Sequence, residues 1–272
     1  SGTSRLPSSA SVDGILLAVT SAPISKSNLT RLLPAATEAE RLGSREAYAE
    51  LDFSAGGYGE RPYVIVNMVA TADGQGRIGK NTAELGDAGD ADLFATLRER
   101  VDCVMAGVGT ISAESYNAPA TKSEVQERRA AAGLALRPLL ATITRSGKLP
   151  TNAPLFGDSD LRVAVFSDEE LDLAGVQARV DRIDTTSLPE VLRSLRHDYD
   201  VRSLLLEGGP HLNTPFFAAE LIDELFLTVA PVLIGNADPF PIIAGPLPRN
   251  QQLHLVSAFS GDEHLYLRYR VD

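Results

Sequence analysis

One cysteine, four scattered histidines, no surplus of positive charge and no long apolar run define this chain of 272 residues by what they exclude. The lone Cys103 rules out an internal disulfide. Its setting, Val101-Asp102-Cys103-Val104-Met105, is that of a buried structural thiol, and such cysteine usage points to the cytoplasm. His197, His211, His254 and His264 form no spaced cluster with Cys or Asp that would hold zinc, so no metal site is expected. The formal charge of −11 and pI near 4.9 exclude unaided binding to nucleic acid or an anionic membrane, which needs clustered Lys and Arg. The longest apolar stretches, such as Ile15-Leu16-Leu17-Ala18-Val19, are too short to cross a bilayer. There is no Gly-x-Ser-x-Gly elbow, no glycine loop ending in Gly-Lys-Ser/Thr and no Rossmann fingerprint. Serine hydrolases, P-loop NTPases and common dinucleotide folds therefore lack their essential parts.

With 44% hydrophobic and 22% charged residues, the chain can bury a substantial core. Residues 1–60 read as an N-terminal part: an arm rich in Ser, Ala and Pro to about residue 30, then one or two short helices between Leu29 and Leu51, broken by Pro34 and Gly43. Ser54 to Gly59 is a link. From Arg61 to Asp272 strand-like and helix-like segments alternate, the order expected of an α/β sheet. Strands are expected at Tyr63–Val69, Cys103–Ala106, Leu139–Thr144, Arg162–Phe166, Val180–Ile183 and Val201–Leu206. Helices are expected at Asp90–Arg100, Lys122–Ala132 and Pro189–His197, with a weak one from Asp168 and another from Pro210. The strands Glu224–Leu233, Gln252–Phe259 and His264–Tyr269 have no helix between the last two, which suits antiparallel strands ending a mostly parallel sheet.

Three turns follow three of these strands: Ala106-Gly107-Val108-Gly109-Thr110, Thr144-Arg145-Ser146-Gly147 and Glu207-Gly208-Gly209-Pro210. Each alone is ordinary turn chemistry. In a parallel sheet, however, they gather at the carboxyl edge, where ligands bind. Gly208 and Gly209 bare the backbone amides and Pro210 opens a helix without wasting a donor, an arrangement that attracts anions. Arg145 and Ser146 offer a planar cation and a hydroxyl for a phosphate monoester. Together the three point to a phosphate-bearing cofactor.

These turns, with Ala72-Asp73-Gly74 after the first long strand and Leu221-Ile222-Asp223-Glu224-Leu225 running on to Ala230-Pro231-Val232-Leu233-Ile234-Gly235, resemble the reductase domain of riboflavin biosynthesis. The resemblance covers about Arg61 to Val271 and implies a dihydrofolate-reductase-like fold that uses NADPH to reduce a pyrimidine- or pterin-like substrate. It implies that Gly208, Gly209 and Pro210 hold the pyrophosphate, that Gly107, Gly109 and Thr110 support the ribose and phosphate region, and that Thr144, Arg145 and Ser146 meet the 2′-phosphate. Asp73 and Glu207 would face the substrate as the catalytic candidates, orienting a ring or helping deliver a proton. Turn chemistry at Asp73-Gly74 and a helix-end carboxylate at Glu207 are the competing explanations.

Two departures bear on the substrate. Asn67 stands where such reductases carry a strand lysine, and the loop Ser112 to Pro119 lacks their arginine. Glu114 and Tyr116 remain there as polar and stacking groups, similar to a divergent pyrimidine reductase branch. Arg98 is either a further substrate contact or a solvated helix-face charge. The expectation is a homodimeric, NADPH-dependent reductase acting on a 5-amino-6-(5-phosphoribosylamino)uracil-like substrate, paired through its C-terminal strands. Dihydrofolate reduction and non-catalytic NADPH binding are the alternatives.

Overall fold

The structure, a computed structural model, describes residues 28–33, 41–53, 59–79, 82, 84–235 and 239–272. The arm expected up to about residue 30 falls almost entirely outside the described residues, as do Pro34 and most of the Ser54–Gly59 link. The elements run β1 (Asn28–Leu33), β2 (Arg41–Gly43), α1 (Ser44–Ala47), β3 (Tyr63–Thr71), α2 (Ala88–Arg100), β4 (Cys103–Met105), α3 (Val108–Ala113), α4 (Ser123–Ala131), β5 (Leu139–Ile143), β6 (Arg162–Phe166), β7 (Arg179–Ile183), α5 (Leu188–His197), β8 (Ser203–Leu206), α6 (Pro210–Ala218), β9 (Glu224–Ala230), β10 (Leu253–Gly261) and β11 (His264–Val271). They build one sheet in the order β2-β1-β10-β11-β9-β3-β8-β4-β5-β6-β7. It is parallel from β9 across to β7 and antiparallel from β9 out to β2.

The central strands are continuously apolar because both faces are covered. On β3, Val64 and Val66 enter a core with Cys103, Met105, Leu204, Leu206 and residues of α5 and α6. Ile65 enters the opposite core with Val104, Leu205, and Leu93 and Leu97 of α2. Cys103 is fully buried and its thiol is pushed well above its ordinary pKa by that burial, which leaves it inert, as expected.

The Asp223-Glu224 pair is part of the frame. Asp223 takes a two-pronged ion pair from Arg61 at 2.6 and 2.8 Å and accepts the Val64 N–H. Glu224 receives Arg268 in the same way, plus the Tyr63 hydroxyl. These contacts fix the start of β3 against β9 and β11.

Two expectations are corrected, and a third is narrowed. Among its described residues, the segment from Leu29 forms strands in place of the expected helices: β1 pairs with β10 and β2 with β1, and Ser44–Ala47 is the helical turn. One partner of β1, β10, lies some two hundred residues away in sequence, so local periodicity misread it. Leu29, Tyr48, Leu51 and Phe53 are core residues, which ties this part of the first sixty residues into the sheet. The weak helix from Asp168 is absent; Ser167 Oγ accepts the Glu169 N–H instead, a local bond that competes with helix formation. Finally, β10 and β11 are interior strands, their edges taken by β1 and β9, so they offer no free edge for a partner to extend.

Boundaries moved for identifiable reasons. β8 begins at Ser203, where Asp102 Oδ2 accepts the N–H groups of Arg202 and Ser203 and the Ser203 hydroxyl. β9 stops at Ala230 because Pro231 has no N–H to donate.

Candidate active site at the carboxyl edge of the parallel strands

The β4 and β8 turns meet. Gly107 N–H donates to the Gly208 carbonyl at 3.3 Å, and Thr110 Oγ1 donates to the same oxygen at 3.1 Å. The turn after β4 is in fact the start of α3, with Gly107 as its N-cap. Gly209 caps α6, with Pro210 in the first turn. Two helix N-termini therefore converge, and among the described residues the N–H groups of Gly109, Thr110, Gly209 and His211 have no partner.

Gly208 and Gly209 are required twice over. Both have positive φ, 83° and 82°, and a Cβ would lie 2.8 Å from Met68 Sδ at the first and 2.9 Å from Thr110 Oγ1 at the second. Around Gly109, by contrast, a Cβ would meet nothing within 4 Å.

Thr144 is buried, and its hydroxyl donates to the Lys148 carbonyl. Arg145 and Ser146 are exposed beyond it, with Ser146 Oγ accepting the Lys148 N–H. Gly147 is packed so tightly on Glu170 that a Cβ would lie 2.1 Å from the Glu170 carbonyl.

On the α2 face, Glu207 follows β8 and is locked. Arg98 Nε and Nη2 each donate to it at 2.6 Å, and Tyr116 Oη donates to the same carboxylate. The Glu207 side chain is 2% exposed and that of Arg98 23%, so the arginine is the member open to the cleft. The guanidinium lies over Phe94 at 4.1 Å and Tyr116 at 5.0 Å. Burial works against its charge, but the adjacent carboxylate outweighs this and holds its pKa above the ordinary arginine value. Arg98 is thus not a solvated helix charge. Glu207, expected to face substrate, is instead buried behind Arg98, which it orients. Burial raises the Tyr116 pKa well above the ordinary phenol range.

Asp73 is exposed, and its bonds are local. It accepts from Thr71 Oγ1 at 2.5 Å and from the N–H groups of Gly235 and Ile234 at 2.8 and 3.5 Å. These bonds, Thr71 first, hold its carboxyl below the usual aspartate pKa, which makes it a poor proton donor near neutral pH and a good anchor for the β9–β10 connection. Glu114 accepts the Thr82 N–H at 3.1 Å and ties the β3–α2 segment to the end of α3. Asn67 is half-buried on β3; it follows Val66, which pairs with Leu206, and so is level with Glu207. The α2 face thus gathers Asn67, Arg98, Tyr116 and Glu207, while Asp73 lies past the end of β3 and Arg145 two strands beyond β8.

Sequence reasoning missed Phe94 and the first turn of α2. Asp87 caps α2 by accepting the Asp90 N–H at 2.8 Å, and Tyr266 donates to Asp87. Asp90 accepts from Thr228 Oγ1 at 2.6 Å. The Asp-x-x-Asp spacing before an apolar run was a readable cap signal. Burial raises the Asp90 pKa, with the Thr228 bond opposing and Asp87 adding to it. Protonated Asp90 therefore stabilises the fold below the unfolded pKa of about 3.9. That contribution is lost as pH rises through the folded value. Asp90→Asn is accordingly expected to raise the melting temperature at neutral pH, with the gain shrinking to nothing in acid. A gain independent of pH would show that Asp90 is not the group titrating.

A depression of about 520 Å³ opens at the opposite, amino edge, between Leu134, Arg137, Arg162 and Tyr199. Its arginines are already paired: Arg137 with Asp158, Arg162 with Asp181 and Arg202 with Asp200. It also lies away from the converging helix N-termini, and the carboxyl edge is the candidate site on chemistry.

A mostly parallel sheet completed by antiparallel strands, with its ligand-ready turns on the carboxyl edge, is the α/β architecture of the dihydrofolate-reductase-like class. Residues 62–267 match the RibD C-terminal domain, and the chain belongs to that family. The chain is 27% identical over 188 residues to the 2,5-diamino-6-ribosylamino-4(3H)-pyrimidinone 5′-phosphate reductase of Archaeoglobus fulgidus, covering 65% of this chain and 84% of that one. A protein of the same name from Methanothermobacter thermautotrophicus is 24% identical, with 78% and 99% covered. The crystal structure of a pyrimidine reductase-like protein from Corynebacterium diphtheriae superposes with a TM-score of 0.70 at 20% identity, over 84% of this chain and 98% of that one. The recognition and fold expected from the motifs are borne out.

Proposed function

We propose that this chain is an NADPH-dependent reductase of a ribosylaminopyrimidine 5′-phosphate in riboflavin biosynthesis. The observation that carries the reading is the convergence of two bare-amide helix N-termini, at Gly107–Thr110 and Gly208–His211, beside the Arg98–Glu207–Tyr116 cluster. The names of the relatives support it over dihydrofolate reduction or binding alone.

The residues fit the cofactor. The amides of Gly209 and His211 suit its pyrophosphate, Gly109 leaves open space beside them, and Arg145 and Ser146 are exposed for the 2′-phosphate. When bound, NADPH supplies the hydride. The chain's part is placement. Arg98, fixed by Glu207 and stacked on Phe94 and Tyr116, presents a rigid cation to the substrate, and Asn67 offers an amide from the strand beside it. This cation compensates in part for the lysine that β3 lacks. Asp73 acts as an anchor of the β3 end. We place the enzyme in the cytoplasm, the compartment that a lone, buried and unbridged Cys103 suits. We keep the homodimer as well, formed by contact of faces around the exposed Leu255 and Val256, since β10 and β11 have no free edge.

The test is oxidation of NADPH with the phosphoribosylaminopyrimidine and, separately, with dihydrofolate. Turnover is expected with the pyrimidine alone; saturable NADPH binding with no turnover of either would make the chain a binding protein. Arg145→Ala should weaken NADPH by about 1.5–3 kcal/mol, the value of a charge-assisted hydrogen bond, and leave NADH nearly unchanged. Equal weakening of both would remove Arg145 from the 2′-phosphate.

A further inference from the structure

The first turns of α6 do more than present amides. Beyond Gly209 and Pro210, its side chains grip the segment Pro239–Ala244. Asn213 Nδ2 donates to the Ile242 carbonyl at 3.1 Å. The Thr214 hydroxyl accepts the Ala244 N–H at 2.8 Å and lies 3.0 Å from the Ala244 carbonyl, while also reaching the Pro210 carbonyl at 2.7 Å.

At its other end the same segment grips the loop that follows β3. Gly76 N–H donates to the Phe240 carbonyl at 2.7 Å, Phe240 N–H donates to Gln75 Oε1 at 2.8 Å, and Arg77 lies over the Phe240 ring at 3.9 Å. Gln75 forms a bridge with Pro241. The loop is thereby held to the end of β3, where Thr71 Oγ1 accepts the Gln75 N–H and also bonds Asp73.

We infer that residues 239–244 form a strap coupling the cofactor turn to the end of β3, the strand that carries Asn67, and that Thr214 is the residue that positions it. The inference rests on the reading of Gly208–Pro210 as the cofactor turn. Its physical basis is that Thr214 is bonded both to Pro210, the last residue of that turn, and to the strap. A shift of α6 on anion binding is passed through these directional polar contacts to Gln75 and Gly76. The coupling is reciprocal, so substrate must tighten NADPH by the same factor that NADPH tightens substrate.

Thr214→Val keeps the shape and removes the hydroxyl; Thr214→Ser keeps the hydroxyl. NADPH affinity is to be measured by cofactor fluorescence with and without the pyrimidine product, and amide exchange of residues 71–77 with and without NADPH. In the native chain each ligand is expected to tighten the other by about tenfold, and NADPH to slow exchange of the loop. Thr214→Val is expected to abolish both effects and raise the pyrimidine KM with kcat changed little, while binding NADPH alone within about twofold of the native chain; Thr214→Ser is expected to restore them. Retained coupling in Thr214→Val, or failure of the serine to restore it, overturns the inference. Should Thr214→Val not fold, Gln75→Leu cuts the strap at its far end and must give the same loss of coupling. Failure of the native chain to bind NADPH would instead overturn the proposed function, a result separable from any of these.

Discussion

Glu207→Gln is expected to destabilise the protein by about 3–5 kcal/mol, the usual cost of leaving a buried charge without its partner. The amide cannot take both prongs of Arg98 as acceptors, and one of its atoms becomes a donor facing donors. The Arg98 guanidinium is mostly buried between Phe94 and Tyr116, so water cannot fully replace the lost carboxylate. Urea unfolding monitored at constant slope reads the loss directly. Removing both charges in Glu207→Leu with Arg98→Met should recover much of the stability, because an apolar pair of similar volume fits the same space, while turnover is lost with the Arg98 cation. A single-variant cost below about 0.5 kcal/mol, the range of ordinary surface changes, would mean that the cluster is solvated and that Glu207 does not fix Arg98.

Arg129→Met should cost about 3 kcal/mol or more, since each hydrogen bond to a charged group contributes about 1.5–3 kcal/mol. Arg129 is completely buried on α4, although its neighbours in sequence are solvated. Its Nε donates to the Ala135 carbonyl and its Nη1 to the carbonyls of Arg98, Glu99 and Val101, the last acceptors of α2. A guanidinium there satisfies orphan carbonyls and opposes the negative end of the helix dipole. Burial pulls its pKa down to about 10, which still leaves it charged at neutral pH. Because Arg98 is on that last turn, the loss should reach the active site: KM for the pyrimidine should rise even under conditions where the variant is folded. Lys at this position should not rescue, as one ammonium lacks the planar fork. A Lys variant as stable as the native chain would show that charge alone is needed.

The parallel core was legible in sequence because its strands are short apolar runs that need no partner to be recognised; Arg162–Phe166 falls where expected, and β3 starts at Tyr63 as expected and runs on past Val69 to Thr71. The β1 and β2 strands were not, since what makes Asn28–Leu33 a strand is β10, brought beside it only by the folded sheet. At the site, the glycines at 107, 208 and 209 were readable as turn punctuation. The stricter requirement at 208 and 209 was not, because Met68 Sδ and the Thr110 hydroxyl approach them from elsewhere in the chain.

The sequence by itself determined the parallel α/β order and the three strand-end turns, because these depend on periodicity and backbone freedom, which are local, and its motifs carried the family resemblance. Only the tertiary structure decided what the polar residues are for. Glu207 could be a substrate carboxylate or a buried counter-ion, and Arg129 a surface charge or a helix cap. Each answer depends on which groups, roughly thirty to a hundred residues away in sequence, arrive within hydrogen-bond reach and whether water is excluded when they do.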